Sequence, residues 1–168
     1  AADTTQRDKN VNAIGAFVAN NPEFDIDVML VPTAPSVMTD KVKPGSPVND
    51  ASVVISQLKN LVGDENLLDV TDVLKAHSDE YIYYRTDHHW TSLGAFYGYE
   101  ATMTAMGLPV VPLSSYTPTV VSDEFYGTVY SSSGVHWTES DSITLYAGDY
   151  GIQIENHSDG SAKPGTLY

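Results

Sequence analysis

Residues 83–92 read Tyr83-Tyr84-Arg85-Thr86-Asp87-His88-His89-Trp90-Thr91-Ser92. No other stretch of the chain brings an acid, two imidazoles, a guanidinium and three aromatic rings within ten positions. Between residues 76 and 162, Arg85 is the only Lys or Arg, whereas the same interval holds eleven Asp or Glu. We expect the isolated guanidinium of Arg85, close to Asp87 in the sequence, to have a specific partner in the fold. Because imidazole is suited to proton transfer and to metal ligation near neutral pH, we expect any chemistry of this chain to centre here.

The spacing within this stretch indicates that Asp87 and His89 could form one functional pair. In an extended segment Asp87 and His89 project to one side and His88 to the other, so we interpret His88 as a structural or surface residue. Same-side Cβ atoms in a strand lie roughly 6–7 Å apart, which means that a local turn is needed for a direct hydrogen bond. With such a turn, the acid can fix the tautomer of the imidazole and the imidazole can act as a base.

Upstream of this stretch, hydrophobic periodicity predicts an α/β arrangement. The predicted elements are a helix over residues 8–20, a buried strand over 26–31, a helix over 51–62, a strand over 67–70 and a short helix over 71–77. Asp50 and Gly63 are the expected N-cap and C′ residues of the second helix. Residues 32–47 contain four prolines and predict an irregular rim loop at the carboxyl end of a strand, where α/β folds usually place their sites.

Downstream, the pattern changes at residue 109. Residues 81–84 lead into the central stretch as an extended segment, and Thr91 or Ser92 is the expected cap of a helix that runs to Met106. Beyond it we predict loops with short strands near residues 117–121, 128–130, 143–146 and 151–154, and an exposed end over 156–165. The prediction is a single domain spanning residues 1–168, with an α/β core over 8–108 and an irregular part over 109–168.

Composition excludes several classes of function. The 168 residues carry a formal net charge of −14, which repels polyphosphate and disfavours anionic membrane surfaces, so nucleic acid is not expected as a partner. No run of eighteen apolar residues exists, so no membrane insertion is predicted within this chain. The absence of cysteine excludes disulfides, a thiol nucleophile and thiolate metal sites, and it is compatible with export.

The segment from Tyr83 to Ala95 resembles the signature of the bacterial DHHW family. It is also similar to the D-x-H-W motif of the alginate O-acetylation proteins, which are SGNH-hydrolase-like. Further similarity lies in residues 30–34 and 122–131. The resemblance implies a three-layer, flavodoxin-like fold of the SGNH-hydrolase type in an extracytoplasmic bacterial protein. It also implies an esterase or O-acyltransferase that acts on ester groups of cell-surface carbohydrate, with no cofactor.

Position by position, the resemblance implies that Asp87 and His89 are the acid and base of a Ser-His-Asp triad. Trp90 would pack beneath them, and Arg85 and Tyr84 would support the site, so these three are the candidate substrate-binding residues. In such families the serine follows later, in an Asp-Ser-Tyr or Gly-Asp-Ser segment after an apolar strand. The pair Asp141-Ser142 lacks that context, and residues 131–134 are better explained as a flexible loop. We therefore expect this chain to be incomplete at its C-terminus, to lack its serine nucleophile and to be inactive alone.

Two rival interpretations remain. Asp-His-His also occurs in the DHH phosphoesterases, which bind manganese, but those proteins need further Asp-rich motifs, and Asp25 and Asp27 lack that pattern; we therefore predict no metal site. The second rival is a non-catalytic glycan-binding or structural module on the same scaffold, since eleven tyrosines and two tryptophans can stack on sugar rings. Oligomeric state, acyl group and acceptor do not follow from the sequence.

Overall fold

The computed structural model describes residues 4–48, 51–148, 155–157, 160–161 and 163–164. Within them the α-helices are α1 (Thr5–Ala19), α2 (Ala34–Val37), α3 (Ala51–Val62), α4 (Thr71–Ala76), α5 (Ser92–Ala105) and α6 (Thr128–Ser133). The strands are β1 (Val28–Leu30), β2 (Leu67–Asp69), β3 (Thr117–Phe125), β4 (Asp141–Ala147), β5 (Glu155–Asn156) and β6 (Lys163–Pro164). Short 3-10 helices lie at Thr39–Lys41 and Leu113–Ser115.

A parallel pair of strands with helices on both faces confirms the predicted mixed α/β class. β1 and β2 pair in parallel, with Val28 beside Leu67, and the crossover between them contains α2 and α3. Successive residues of β1 face opposite sides. Val28 and Leu30 pack into a cluster with residues of α1 and α3, whereas the sulfur of Met29 lies 3.4 Å from the hydroxyl of Thr102 in α5.

The first hydrophobic cluster joins α1 and α3 to the sheet. Its buried members come from α1, α3 and β2 and are Val11, Leu58, Val62 and Leu67. α1 and α3 approach closely at Gly15, where an added Cβ would lie 2.8 Å from the Cβ of Leu61. Gly63 has φ +89° and its N–H donates to the oxygen of Lys59, which confirms it as the residue that ends α3. The predicted N-cap, Asp50, lies outside the described residues.

The second cluster surrounds the segment that leads into the central stretch. Its buried members are Val37, Val70, Leu74, Ile82, Tyr83 and Tyr97. The Tyr83 hydroxyl donates to the oxygen of Pro32, 2.6 Å away, and so ties the central stretch to the end of β1. Of the two expected caps, Thr91 and Ser92, Thr91 caps α5, because its hydroxyl oxygen accepts from the N–H of Gly94 at 3.3 Å. The same hydroxyl donates to the oxygen of Tyr81.

Several predicted elements are corrected by the structure. Residues 32–47 contain the short helix α2 as well as loop. Pro35 lies in the first turn of α2, where a backbone N–H has no partner within the helix, so the proline costs no hydrogen bond. The strand predicted near 128–130 is wrong, because these residues begin α6. The strand predicted over 117–121 continues to Phe125, and that over 143–146 begins at Asp141. Residues 151–154 lie outside the described part of the chain, and in the predicted exposed end β5 pairs with β6.

In the downstream part, β3 and β4 form an antiparallel pair that is irregular on the side towards the central stretch. Its register shifts twice between Val120 and Phe125. Among the described residues every sheet has two strands. None of the described helices combines the length and the apolar character that crossing a bilayer requires.

The first cluster predicts a stability difference within α3. Leu58 is 1% exposed, so Leu58→Ala should lower the free energy of unfolding by about 2–5 kcal/mol through lost burial and a cavity. Val53 on the same helix is 42% exposed, and Val53→Ala should stay within about 0.5 kcal/mol of the unsubstituted protein. Urea unfolding followed by circular dichroism measures both. Equal effects of the two substitutions would contradict the packing of α3 described above.

Candidate active site

The central stretch folds as a tight loop rather than as a strand. Tyr83 and Trp90 form an isolated antiparallel bridge, and the N–H of Tyr84 donates to the oxygen of His89 at 3.3 Å. Residues 85–89 between them are a series of bends. This loop supplies the local turn that a direct contact between Asp87 and His89 needs.

Asp87 and His89 are hydrogen-bonded to each other. The Nδ1 atom of His89 lies 2.5 Å from Oδ1 of Asp87, and the backbone N–H of His89 donates to the same oxygen at 2.9 Å. The carboxylate is almost fully buried, with 6% of its side chain exposed, whereas the His89 side chain is 65% exposed. The two side chains therefore converge, and most of the His89 side chain is exposed to solvent.

The second carboxylate oxygen of Asp87 is held by the first residue of α6. Thr128 donates to Oδ2 of Asp87 from its backbone N–H at 2.8 Å and from its hydroxyl at 3.0 Å. The preceding residue, Gly127, lies so close to Asp87 that an added Cβ would clash with the Asp87 side chain. Glycine at this position thus allows α6 to approach the carboxylate. Nothing in the sequence marked Gly127 and Thr128 as site residues beyond their place in the segment of family similarity.

Hydrogen bonding keeps Asp87 ionised in spite of its burial. Burial by itself raises the pKa of Asp87, but hydrogen bonds from the backbone N–H groups of Thr128 and His89 and from their side chains lower it by more. The net pKa lies well below the ordinary range of an aspartate. An ionised carboxylate only accepts hydrogen bonds, so the neutral His89 ring carries its proton on Nδ1. Its Nε2 atom then has the lone pair that a general base requires.

His88 is closer to the pair than its predicted outward direction suggests. Its ring lies 3.8 Å from that of His89 between centroids, with a tilt of 38°. Its Nδ1 atom lies 2.6 Å from the hydroxyl oxygen of Thr128. Because that hydroxyl donates its one proton to Asp87, it accepts from His88. His88 is exposed, as expected of a surface residue. The loop nevertheless turns its ring towards His89.

The three candidate substrate-binding residues lie around the loop in different settings. Arg85 is half exposed, and its partners are Asp141, Glu139 and the backbone oxygen of Ser140 rather than Asp87. Burial raises the pKa of the Tyr84 phenol, as do the charges of Asp141 and Asp87, so this side chain stays neutral. A role in substrate binding stays a prediction for both residues.

Trp90 is the third candidate substrate-binding residue, and it packs against the second hydrophobic cluster. An added Cβ at Gly98 of α5 would lie 2.7 Å from the end of its indole ring. Packing of Trp90 beneath Asp87 and His89 stays a prediction. A direct contact with substrate stays a prediction.

Among the described residues, Asp87, His88 and His89 are the one group that could offer three ligand atoms to a metal ion, all within 4.8 Å of one another. Oδ1 of Asp87 accepts two hydrogen bonds from His89 and Oδ2 accepts two from Thr128, which uses the four lone-pair positions of the carboxylate. Metal binding through Asp87 would have to break this set, so the arrangement fits a proton-transfer pair better than a metal centre. A cavity of about 480 Å³ lies elsewhere, between α2, α3 and α4, and neither Asp87 nor His89 lines it.

The low pKa of Asp87 predicts how stability depends on pH. A carboxylate whose pKa is depressed by folding stabilises the folded state above its unfolded pKa of about 3.9, and this stabilisation is lost as the pH falls through the folded pKa. Asp87→Asn should therefore lower the free energy of unfolding by about 1–3 kcal/mol at pH 7, with a smaller difference below pH 4. Urea unfolding across this pH range measures the difference. Asp123→Asn, at an exposed carboxylate, is the control; a loss for Asp87→Asn that does not vary with pH would contradict the assignment.

Comparison with known proteins places the chain in a family. The model of the DHHW protein family matches residues 12–154. A DHHW family protein from Eubacterium siraeum is 30% identical, with a TM-score of 0.64 over 80% of this chain and 48% of that chain. Bacillus cereus PatB1 is 18% identical, with a TM-score of 0.67 over 98% of this chain and 60% of that chain. PatB1 with a sulfonyl adduct is 19% identical, with a TM-score of 0.66 over 92% of this chain and 54% of that chain.

At such identities the likeness to PatB1 concerns the fold alone. The chain spans about half the length of the Eubacterium siraeum protein and less than two thirds of PatB1. No curated protein sequence matches it. The family model covers most of the chain, including the loop that holds Asp87 and His89, and the chain belongs to the DHHW family.

Proposed function

We propose that Asp87 and His89 are the acid and base of a Ser-His-Asp triad in an SGNH-hydrolase-like domain. The proposed activity is that of an extracytoplasmic esterase or O-acyltransferase acting on ester groups of cell-surface carbohydrate. The observation that carries the proposal is the 2.5 Å contact between His89 Nδ1 and a buried, ionised carboxylate, with 65% of the His89 side chain exposed to solvent. This is the arrangement by which an aspartate orients a histidine base.

The proposed reaction transfers an acyl group in two steps. His89 Nε2 takes the proton of a serine hydroxyl while the serine oxygen bonds to the ester carbonyl carbon, and the resulting imidazolium is stabilised by Asp87. The imidazolium then returns its proton to the leaving alcohol as the ester bond breaks. In the second step a sugar hydroxyl or water gives its proton to His89 as its oxygen attacks the acyl-serine carbonyl. The bond between the acyl carbon and the serine oxygen then breaks, and the His89 imidazolium returns the proton to that oxygen.

The proposal assigns the serine to sequence outside residues 1–168. In the described part of α6, the hydroxyls of Ser131 and Ser132 donate to the backbone oxygens of Gly127 and Thr128. Neither is hydrogen-bonded to His89. The sulfonyl adduct belongs to PatB1; sulfonyl groups attach to activated nucleophiles, and its similar fold supports the idea that this scaffold can hold one.

The three-layer SGNH-type architecture is part of the same proposal. It is supported by the parallel pair β1–β2, which has α1 and α3 on one face and α5 on the other, and by the likeness to PatB1 over nearly the whole chain. In doubly wound folds further parallel strands extend such a pair. The proposed site also lies before the N-terminus of α5, where backbone N–H groups favour negative charge.

A glycan-binding module without activity is the second candidate function. It is supported by two exposed aromatic side chains on either side of α6, Tyr126 at 44% and Trp137 at 84% exposure. Aromatic rings stack well on sugar rings because both present apolar faces. This candidate needs no serine and predicts glycan binding that is indifferent to the charge of Asp87.

Activity of the native protein, including any sequence that continues beyond residue 168, tests the proposal. With an acetylated sugar or p-nitrophenyl acetate as substrate, His89→Ala and Asp87→Asn should each lower kcat about 10³- to 10⁴-fold, because base and orienting acid act as one unit. His157→Ala, at an exposed histidine outside the loop, is the matched control and should retain full activity.

Two results would overturn this assignment. Activity that survives in both His89→Ala and Asp87→Asn would place the chemistry elsewhere. A native protein that transfers no acyl group, but binds acetylated glycan equally well with and without these substitutions, would favour the glycan-binding module.

A further inference from the structure

We propose that Asp141 is a positioning residue, which holds the loop of the Asp87–His89 pair in its active geometry from 54 positions further along the chain. The inference rests on the proposed function for its catalytic meaning, but the geometry it describes can be measured without any activity. Asp141 is the first residue of β4, and it is fully buried. In the sequence it stood out only as part of an Asp-Ser pair that did not fit a nucleophile segment.

The carboxylate of Asp141 accepts backbone hydrogen bonds from the loop, as the carbonyl groups of a neighbouring strand would in a sheet. Its Oδ1 accepts from the backbone N–H of Arg85 at 3.0 Å, and its Oδ2 accepts from the backbone N–H of Thr86 at 2.7 Å. These are the two N–H groups immediately before Asp87. Inside the protein they need acceptors, and the side chain of Asp141 provides both.

Side chains complete the set of donors around Asp141. The hydroxyl of Thr86 donates to Oδ2 and the hydroxyl of Tyr81 donates to Oδ1, both at 2.5 Å, while the guanidinium of Arg85 lies 3.4 Å from Oδ1. Burial raises the pKa of Asp141, but these hydrogen bonds lower it by more, so the carboxylate is ionised and accepts from all of them. An ionised carboxylate buried in this way is held in one orientation by its donors.

Thr86 carries the constraint from Asp141 to the catalytic pair. Its hydroxyl oxygen accepts from the N–H of Gly127 at 3.1 Å, and its backbone oxygen accepts from the N–H of Tyr130 at 3.0 Å. Gly127 precedes Thr128, which donates twice to Asp87. Asp141 thus fixes the residue before Asp87 and, through it, the turn of α6 that holds the second oxygen of Asp87.

The arrangement has two consequences for His89. Asp87 is held from both sides, by Thr86 in its own loop and by Thr128 in α6, so its Oδ1 has little freedom to move away from His89. If Asp141 releases Thr86, the carboxylate can rotate, and the preference of His89 for a proton on Nδ1 is lost. A displacement of this kind far from the reacting atoms reduces the rate of a reaction that depends on orientation.

Nitrogen chemical shifts of the imidazole rings test this on the present chain, since they distinguish a proton on Nδ1 from one on Nε2. The unsubstituted chain should hold neutral His89 with the proton on Nδ1, and Asp87→Asn should lose this preference. In Asp141→Asn, which is isosteric but replaces one acceptor oxygen by an amide donor, we expect the same loss while circular dichroism shows a folded chain. Asp123→Asn, at an exposed carboxylate of β3, should leave the spectrum unchanged.

A second pair of variants keeps the test decisive if Asp141→Asn does not fold. Thr86→Val has nearly the same shape but lacks the hydroxyl, and it should lose the Nδ1 preference; Thr86→Ser keeps the hydroxyl and should restore it. In the native protein, Thr86→Val should lower kcat by about 10²-fold with KM retained.

Folded Asp141→Asn, or folded Thr86→Val, with His89 still protonated on Nδ1 would overturn the inference and leave Asp141 a purely structural residue. An inactive native protein with the expected tautomer changes would instead remove the proposed function and keep the positioning role.

Discussion

A buried, ionised carboxylate that must be surrounded by donors is the constraint on which the central region depends. Asp87 is almost fully buried, and a charge in that position is tolerated only when hydrogen bonds replace the lost water. Its donors come from its own loop, through His89, and from the start of α6, through Thr128. The hydrogen bonds to this one carboxylate therefore join two parts of the chain that are 41 residues apart in sequence. The same hydrogen bonds orient the exposed imidazole of His89.

The loop is supported by packing on buried side chains. Trp90 closes the loop by its bridge to Tyr83 and packs against the second cluster, where α5 approaches closely because Gly94 and Gly98 have no side chains. At Gly94 an added Cβ would clash with the oxygen of Ile82. The loop thus rests on a helix that packs against β1, so the exposed ring of His89 is supported by buried core. This is the division expected for a functional loop on a rigid scaffold.

The local sequence predicted an element correctly where interactions between near neighbours in the chain decide the structure. The apolar stripe of α3 and Gly63 at its end predicted the observed bounds of that helix, and Thr91 or Ser92 was expected to cap α5, because periodicity and capping involve only near neighbours in the chain. The same reasoning failed over 128–130. There β-branched and aromatic residues favour a strand, but the N–H and hydroxyl of Thr128 bond to Asp87, and this tertiary contact fixes the start of α6.

The sequence by itself determined the mixed α/β class, singled out residues 83–92 as the stretch densest in functional groups and predicted Asp87 and His89 as a pair, since density of functional groups and two-residue spacing are local properties. Only the tertiary structure decided that the pair touches, that Thr128 completes it and that Arg85 turns to Asp141 instead of Asp87. The physical reason is that a buried carboxylate takes whichever donors the fold brings within about 3 Å, and those donors lie tens of residues away in the chain.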